Sequence, residues 1–341
     1  MSGQPGVPLV ELKHVDRSFM KDGQILRVLQ DVNIEVFPNE TICIVGESGC
    51  GKTTTGKIIA GLLGQSGGQV LVEGKPRESY TDRQEIARLR RTLQIVHQDP
   101  FASLNPAHTV EKILSFPLLR HRKVANRTEL AARLVELMNL VDLTPAQDIL
   151  SKYPHQLSGG QRQRVSIARA LTVQPKLIVA DEAVSMVDVS IRIGLLKMLH
   201  RLRAELGLAI VFITHDLALA KYFAWEGRIA VMYLGRVVEI GRTPDVIGNP
   251  AHPYTRALLA AVPEADPDVT RQKQELPLRS EDIPGLLDIP PGCAFHPRCP
   301  FFERGTCDVT LPDLRVPPGH QQITACTPLT RDGKLTAYAG G

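Results

Sequence analysis

The sequence predicts an α/β protein built on a parallel sheet with helices over its faces, and three observations carry that expectation. Short runs rich in Val and Ile ("TICIV" at 41–45, "TLQIV" at 92–96, "KLIVAD" at 176–181, "AIVFIT" at 209–214) have the continuous apolar character of strands buried on both faces. Segments of helical period lie between them: Leu130, Leu134, Leu137 and Met138 fall on one face, as do Ile191, Leu195, Leu199 and Leu202. At 341 residues, 43% of them hydrophobic, the chain is long enough for a sizeable core and two or three structural units.

Other stretches fill in the order of the chain. Residues 100–165 contain no strand-like run and read as a helical insertion. Residues 263–291 are rich in Pro and charge and poor in period, which reads as a linker or irregular extension. No internal repeat of 20 to 50 residues is present. The net charge of +4 leaves no basic stripe for nucleic acid, and the densest basic run, "RQEIARLRR" at 83–91, reads as a solvated helix face. The first residues, "MSGQPGVPLVELKHV", lack a secretory pattern, and no run approaches the ~20 apolar residues of a membrane span. A cytoplasmic chain is the default expectation, and stable disulfides are not expected there.

"GESGCGKTT" at 46–54 follows a strand-like run and opens a helical one. The spacing G-x-x-x-x-G-K-[ST] is that of a phosphate-binding loop. Glycines let the backbone curl until successive N–H groups face phosphate oxygens, and the helix start adds its positive dipole end. The expected nucleotide contacts are Gly46, Glu47, Ser48, Gly49, Cys50 and Gly51, with Lys52, Thr53 and Thr54. Lys52 would reach the outer phosphates and Thr53 would ligate magnesium. "KLIVADEAVS" supplies a buried strand ending in two carboxylates, Asp181 for magnesium and Glu182 to polarise the attacking water.

"LSGGQRQRVSIARAL" at 157–171 places a second anion-binding helix start in the same chain. With it, the sequence resembles the ATP-binding-cassette ATPases over residues 8–260. The shared motifs, in order, are the phosphate loop, Gln98 in "QIVHQDP", the signature at 157–161, Asp181 with Glu182, "SMVD" ending at Asp188, and His215 in "ITHD". The resemblance implies a RecA-like parallel-sheet core, an antiparallel β subdomain and an α-helical subdomain at about 100–165. The cassette would span 1–245 and an irregular cysteine-containing extension 246–341. It implies ATP and magnesium as cofactors, with Thr53, Gln98 and Asp181 around the metal, and it implies catalysis by Glu182 and His215. Phe19 would stack on adenine and Asp188 would link the two sites of a dimer. Ser158, Gly159, Gly160 and Gln161 would act in trans, on nucleotide held by a second cassette. Ala183 stands where relatives carry Pro, and Val187 where they carry Leu; both are apolar and leave these roles intact.

Three further stretches, "VHQDPFASLNPAHTV", "DEAVSMVDVSIRIGLLKML" and "NPAHPYTRALLAAVPE", resemble the ATP-binding subunits of dipeptide and oligopeptide permeases, of the second of the two ATPase types. The resemblance implies import of peptides or similar small solutes at the cytoplasmic face of the inner membrane. Its partners would be a distinct second ATPase, two transmembrane permease subunits and an extracytoplasmic solute-binding protein, with no nucleic acid. A soluble cassette ATPase and an importer of sugars or metals are the alternatives.

Near the C-terminus, Cys293, Cys299, Cys307 and Cys326 follow the spacing C-x5-C-x7-C-x18-C. Zinc ribbons use two tight C-x2–4-C pairs, which this spacing lacks. A cubane iron–sulfur cluster takes four thiolates from an irregular loop, and the resemblance implies a [4Fe–4S] cluster here. Zinc, with His296 or His320 substituting for a thiolate, and unligated thiols remain open. A regulatory or redox-sensing role for the segment is compatible with transport. Cys43 reads as a small apolar strand residue, and the Cys50 thiol as incidental to its loop.

Overall fold

The computed structural model describes residues 6–262 and 276–335. In chain order, β1 (Val10–Lys21) and β2 (Gln24–Val36) form a long hairpin, followed by β3 (Thr41–Val45), α1 (Lys52–Ile59), β4 (Gly67–Val72) and the short β5 (Lys75–Pro76). Next come α2 (Arg83–Thr92), β6 (Leu93–Val96) and a helical stretch of α3 (Pro100–Ser103), α4 (Val110–Arg120), α5 (Arg127–Leu140), α6 (Ala146–Leu150) and α7 (Gly159–Leu171). The chain returns through β7 (Leu177–Asp181), α8 (Val189–Leu206), β8 (Ala209–Thr214), α9 (Leu217–Phe223), β9 (Arg228–Tyr233), β10 (Arg236–Arg242), α10 (Thr243–Gly248) and α11 (Pro253–Ala260). A two-residue strand β11 (Ile323–Thr324) and a last helix, Thr327–Asp332, lie in the extension.

The main sheet has the order β11-β10-β9-β3-β8-β7-β6. The pairs β6–β7, β7–β8, β8–β3 and β3–β9 are parallel, while β10 and β11 close one edge antiparallel. The four apolar runs are the four adjacent parallel strands β3, β8, β7 and β6. Every residue of β3, β7 and β8 is buried, as expected of strands covered on both faces. Strand alternation divides the core: Cys43 and Val45 join one apolar cluster with the helices of 100–171, and Ile42 and Ile44 join the other, beneath the second sheet.

That second sheet, β2-β1-β4-β5, is antiparallel. Its hairpin turns at Asp22-Gly23, both with positive φ (50° and 77°), a two-residue turn whose twist suits the flanking strands. Leu234-Gly235 (φ 41° and 83°) does the same between β9 and β10.

Helix starts follow their caps. Asp82 accepts from the N–H groups of Gln84 and Glu85, and Asn126 from that of Glu129. Helix α8 stops at Gly207, which adopts the left-handed conformation (φ 63°). The basic run at 83–91 lies on α2 and is mostly solvent-facing, as its pattern suggests. Of the stretch read as a linker, residues 263–275 lie outside the described residues, and 276–291 carry neither helix nor strand. The extension is tied to the cassette by β11, which pairs Thr324 with Glu239 and Ile323 with Ile240 on β10.

Candidate functional site

The phosphate loop turns from the end of β3 into α1. Gly46, at φ 151°, lies against β9, where a Cβ would meet the Met232 carbonyl oxygen at 2.2 Å. Gly51, at φ 102°, precedes α1 and lies under β2, where a Cβ would meet Leu29 at 2.6 Å. No side chain caps α1, so its first N–H groups are left for a ligand at the loop. Lys52 is 5% exposed and donates to the carbonyl oxygens of Gly46 and Glu47, both at 2.8 Å. Cys50 is buried within the loop, and burial pushes its thiol up.

Four strand ends converge beside this loop, at the carboxyl edge where open α/β sheets take ligands. Thr53 Oγ1 donates to Asp181 Oδ1 at 3.0 Å, which joins α1 to the end of β7. Asp181 is 4% exposed; burial pushes its carboxyl up and the Thr53 hydrogen bond opposes that. A buried carboxylate and a hydroxyl in contact form a hard-oxygen donor set suited to magnesium. Next in the chain, Glu182 adopts positive φ (47°), a conformation of higher energy for a side chain of its kind. Its carboxylate accepts from Gln98 Nε2 at 3.0 Å, and its other oxygen lies 3.2 Å from His215 Nδ1. Gln98 follows β6 and His215 follows β8, so neighbouring strands deliver all three groups.

The remaining predicted residues sit apart. Ser158 caps α7: its hydroxyl accepts from the Gln161 N–H at 3.2 Å, and Gln161 Oε1 accepts from the Ser158 N–H at 3.0 Å. This reciprocal box holds the signature turn on a separate pocket of ≈ 300 Å³ shared with Asp142 and Arg164. A Cβ on Gly160 would meet Ile191 at 2.7 Å, whereas one on Gly159 would find its nearest neighbour at 3.8 Å. Asp188 starts α8 without capping it. Phe19 lies on β1 with the Arg17 guanidinium 4.5 Å from its ring centre.

Cys293, Cys299, Cys307 and Cys326 line one small pocket of ≈ 20 Å³, room for about one water. The rest of its wall is Pro253, Phe295, Phe301 and Pro328 together with the polar His252, His296 and Thr327. Burial pushes the Cys293 thiol up to about 11 and the Cys326 thiol up to about 12, and raises Cys299 and Cys307 as well. Among the described residues, no three His, Cys, Asp or Glu side chains are placed to hold a single metal ion. His296 borders the pocket, with Nδ1 3.0 Å from the Cys293 carbonyl oxygen. His320 lies 3.2 Å from Gln322 Nε2 instead. Cys43 is fully buried in β3, as its apolar setting predicts.

Two groups that sequence reasoning did not assign touch the phosphate loop. The Glu47 N–H donates to Tyr254 Oη at 3.0 Å, and Arg298 Nη1 donates to both Glu47 carboxylate oxygens at 3.1 and 3.2 Å. The sequence marks Tyr254 only as part of a His-Pro-Tyr tripeptide and gives no signal for Arg298 beyond its place beside Cys299.

Among the described residues, no helix is long and apolar enough to cross a membrane. A family model described as ABC transporter matches residues 29–185, and one described as oligopeptide/dipeptide transporter, C-terminal region, matches residues 238–307. The chain is 42% identical, over 90% of its length and 84% of the relative's, to a probable peptide ABC transporter ATP-binding protein, y4tS, of Sinorhizobium fredii. It is 41% identical to the oligopeptide transport ATP-binding protein OppF of Escherichia coli, over 85% of each chain. Among solved structures it is similar to the dimeric bacterial ABC transporter cassette MJ0796, with a TM-score of 0.61 at 29% identity, covering 69% of this chain and 98% of that one. The same cassette in a post-hydrolysis state with ADP and Pi gives a TM-score of 0.60. With its phosphate loop, paired carboxylates and matched C-terminal region, the chain belongs to the ABC transporter ATPases, in the branch of oligopeptide and dipeptide transporter ATP-binding proteins.

Proposed function

We propose that this ATPase is one of two nucleotide-binding subunits of a peptide importer, and that it works at the cytoplasmic face of the membrane against permease subunits. One observation carries the catalytic part: Thr53 with Asp181, and Gln98 with Glu182 and His215, meet at the carboxyl ends of four adjacent strands beside the phosphate loop. In this reading the loop N–H groups other than that of Glu47, which Tyr254 takes, would hold the phosphates with Lys52, while Thr53, Gln98 and Asp181 would hold magnesium directly or through water. Bound magnesium supplies charge neutralisation at the phosphates. Glu182 orients the attacking water, and His215 and Gln98 fix the Glu182 carboxylate and exchange it for the terminal phosphate region. Phe19 receives adenine.

The signature Ser158–Gln161 lies on its own pocket, away from the phosphate loop of the same chain, which supports a site completed by a second cassette. A distinct paralogue is the partner we favour, following the resemblance to the second ATPase type. Support for a permease partner comes from a groove of ≈ 970 Å³ lined by Gln94 and His97, close in sequence to Gln98, and by Phe116 and Arg169, on which Phe116 is 71% exposed. Peptides as cargo follow the names of the relatives.

We propose further that the four cysteines hold a [4Fe–4S] cluster. Their convergence on one pocket supports it, a pocket that would have to open beyond its present room for about one water to take the cluster, and a spacing without tight cysteine pairs disfavours zinc. Anaerobic purification should give about four irons and four acid-labile sulfides per chain, lost in Cys299→Ser. One zinc without sulfide would make the segment a zinc knuckle.

The transport reading is tested by reconstituting the chain with its permeases and binding protein and measuring peptide-stimulated ATP hydrolysis and uptake. Stimulation by a sugar or a metal ion but not by peptides would overturn the cargo. Mixing Lys52→Ala and Ser158→Arg chains tests the partner: restored activity without another subunit would replace the distinct paralogue by a second copy.

A further inference from the structure

Two side chains of the C-terminal extension grip the second residue of the phosphate loop from across the sequence. Tyr254, at the start of α11, takes the Glu47 N–H, and Arg298, beside Cys299, takes both oxygens of its carboxylate. The Glu47 carbonyl oxygen accepts from Lys52, so all three polar groups of this residue are committed. Neither gripping side chain has freedom to wander. Tyr254 is 1% exposed, its ring centre 4.6 Å from that of Tyr233 and 5.4 Å from that of Phe295. Arg298 is 7% exposed, its guanidinium 5.6 Å from the Phe295 ring centre. Phe295 itself borders the four-cysteine pocket, so one aromatic cluster joins that pocket to the loop.

The chemistry of the loop gives the contact a purpose. A loop that curls its N–H groups around a polyanion has no evident use for a carboxylate, because a negative charge at its rim repels phosphate. Arg298 neutralises that charge with a hydrogen-bonded ion pair, and Tyr254 holds the adjacent N–H so that the rim keeps one curvature. We propose that Arg298 and Tyr254 are positioning residues for nucleotide binding, and that through Glu47 they couple the four-cysteine lobe to nucleotide affinity. The inference rests on the reading of residues 46–54 as the phosphate site. By linkage, any change in the lobe that shifts Arg298 or Tyr254 alters nucleotide affinity, and bound nucleotide stabilises the lobe in return.

The test is magnesium–ADP titrated calorimetrically into the full chain, with thermal stability followed in parallel and KM and kcat for ATP measured in the assembled transporter. Arg298→Gln should raise the ADP Kd by about tenfold, and Tyr254→Phe, which deletes only the hydroxyl, by about threefold to tenfold. KM should rise with Kd while kcat holds, because the loop grips ground and transition states alike. The deciding variant is Glu47→Gln in the Arg298→Gln background: with the unpaired carboxylate gone, Kd should return to within about threefold of the parent. The proposal is overturned if both single variants bind ADP within about twofold of the parent. It is equally overturned if the loss of affinity tracks a loss of Tm and Glu47→Gln restores nothing. Failure of the parent chain to bind ADP would instead remove the phosphate-site reading on which the inference stands.

Discussion

His215 Nδ1 lies 3.2 Å from Glu182 Oε1, and Gln98 Nε2 donates to the other oxygen of the same carboxylate at 3.0 Å. Both oxygens of the proposed water-orienting group are therefore held by side chains that follow β6 and β8, the two strands flanking β7. The arrangement fixes the carboxylate before substrate arrives, and a positioned base of this kind contributes ~10²- to 10⁴-fold to rate. Glu182→Gln keeps the shape and the contact to His215 but removes the base. Turnover should fall by about that factor while ADP affinity stays within about threefold of the parent, read by phosphate release and by nucleotide titration. Undiminished hydrolysis would take Glu182 out of the chemistry.

In the proposed site, the Thr53–Asp181 contact would separate metal binding from phosphate binding. Thr53 Oγ1 donates to a carboxylate that is 4% exposed and pushed up by burial, a cost that a divalent cation would relieve. Thr53→Ala removes one oxygen without touching the loop glycines. The magnesium concentration for half-maximal ATPase should rise by at least about tenfold, with metal-free ADP binding little changed. An unmoved magnesium dependence would leave Thr53 as a buttress for Asp181 alone.

Sequence legibility followed the physics of each element. Strands β3, β7 and β8 were readable because parallel strands covered on both faces are continuous apolar runs, the edge strand β6 because it keeps a short apolar run of its own, and the phosphate loop because its glycines have a fixed spacing. The long strands β1 and β2 alternate buried and exposed residues with several shifts of register, so no apolar run announces them, and their hairpin was not read from the sequence. Glu182 was legible as a carboxylate ending a buried strand, Gln98 and His215 were placed by resemblance, and their mutual contacts appear only once β6, β7 and β8 lie side by side. The grip on Glu47 was illegible for a different reason. Tyr254 and Arg298 are 207 and 251 positions from it, and no periodicity links residues at such separations. The cysteine spacing likewise left its ligand open, because four thiols spread over an irregular loop are compatible with more than one centre.

Glu73 offers a test of how the two sheets are held together. It stands in the turn between β4 and β5 and accepts from Lys176, just before β7, at 2.6 Å and from Arg88 on α2 at 2.8 Å. The Lys176 hydrogen bond, with help from Arg88 and against some burial, holds its carboxyl below the usual 4.5. A carboxyl depressed in the folded state stabilises that state above its unfolded value. The contribution is full above about pH 4.5 and is lost as pH falls through the lower folded value. Because all three side chains are partly exposed, each pair contributes only ~0.2–1 kcal/mol and is screened by salt. Glu73→Gln should therefore lower Tm by about 1–3 °C at pH 7 in low salt. The difference should shrink in ~1 M salt, where the screening length is a few ångströms, and should close as the pH drops below the folded value. Thermal melts of the two proteins across this pH range decide it. A difference that persists unchanged in acid would mean that the substituted amide disturbs the β4–β5 turn, where Glu73 has positive φ (50°), and that the ion pairs are not what joins the sheets.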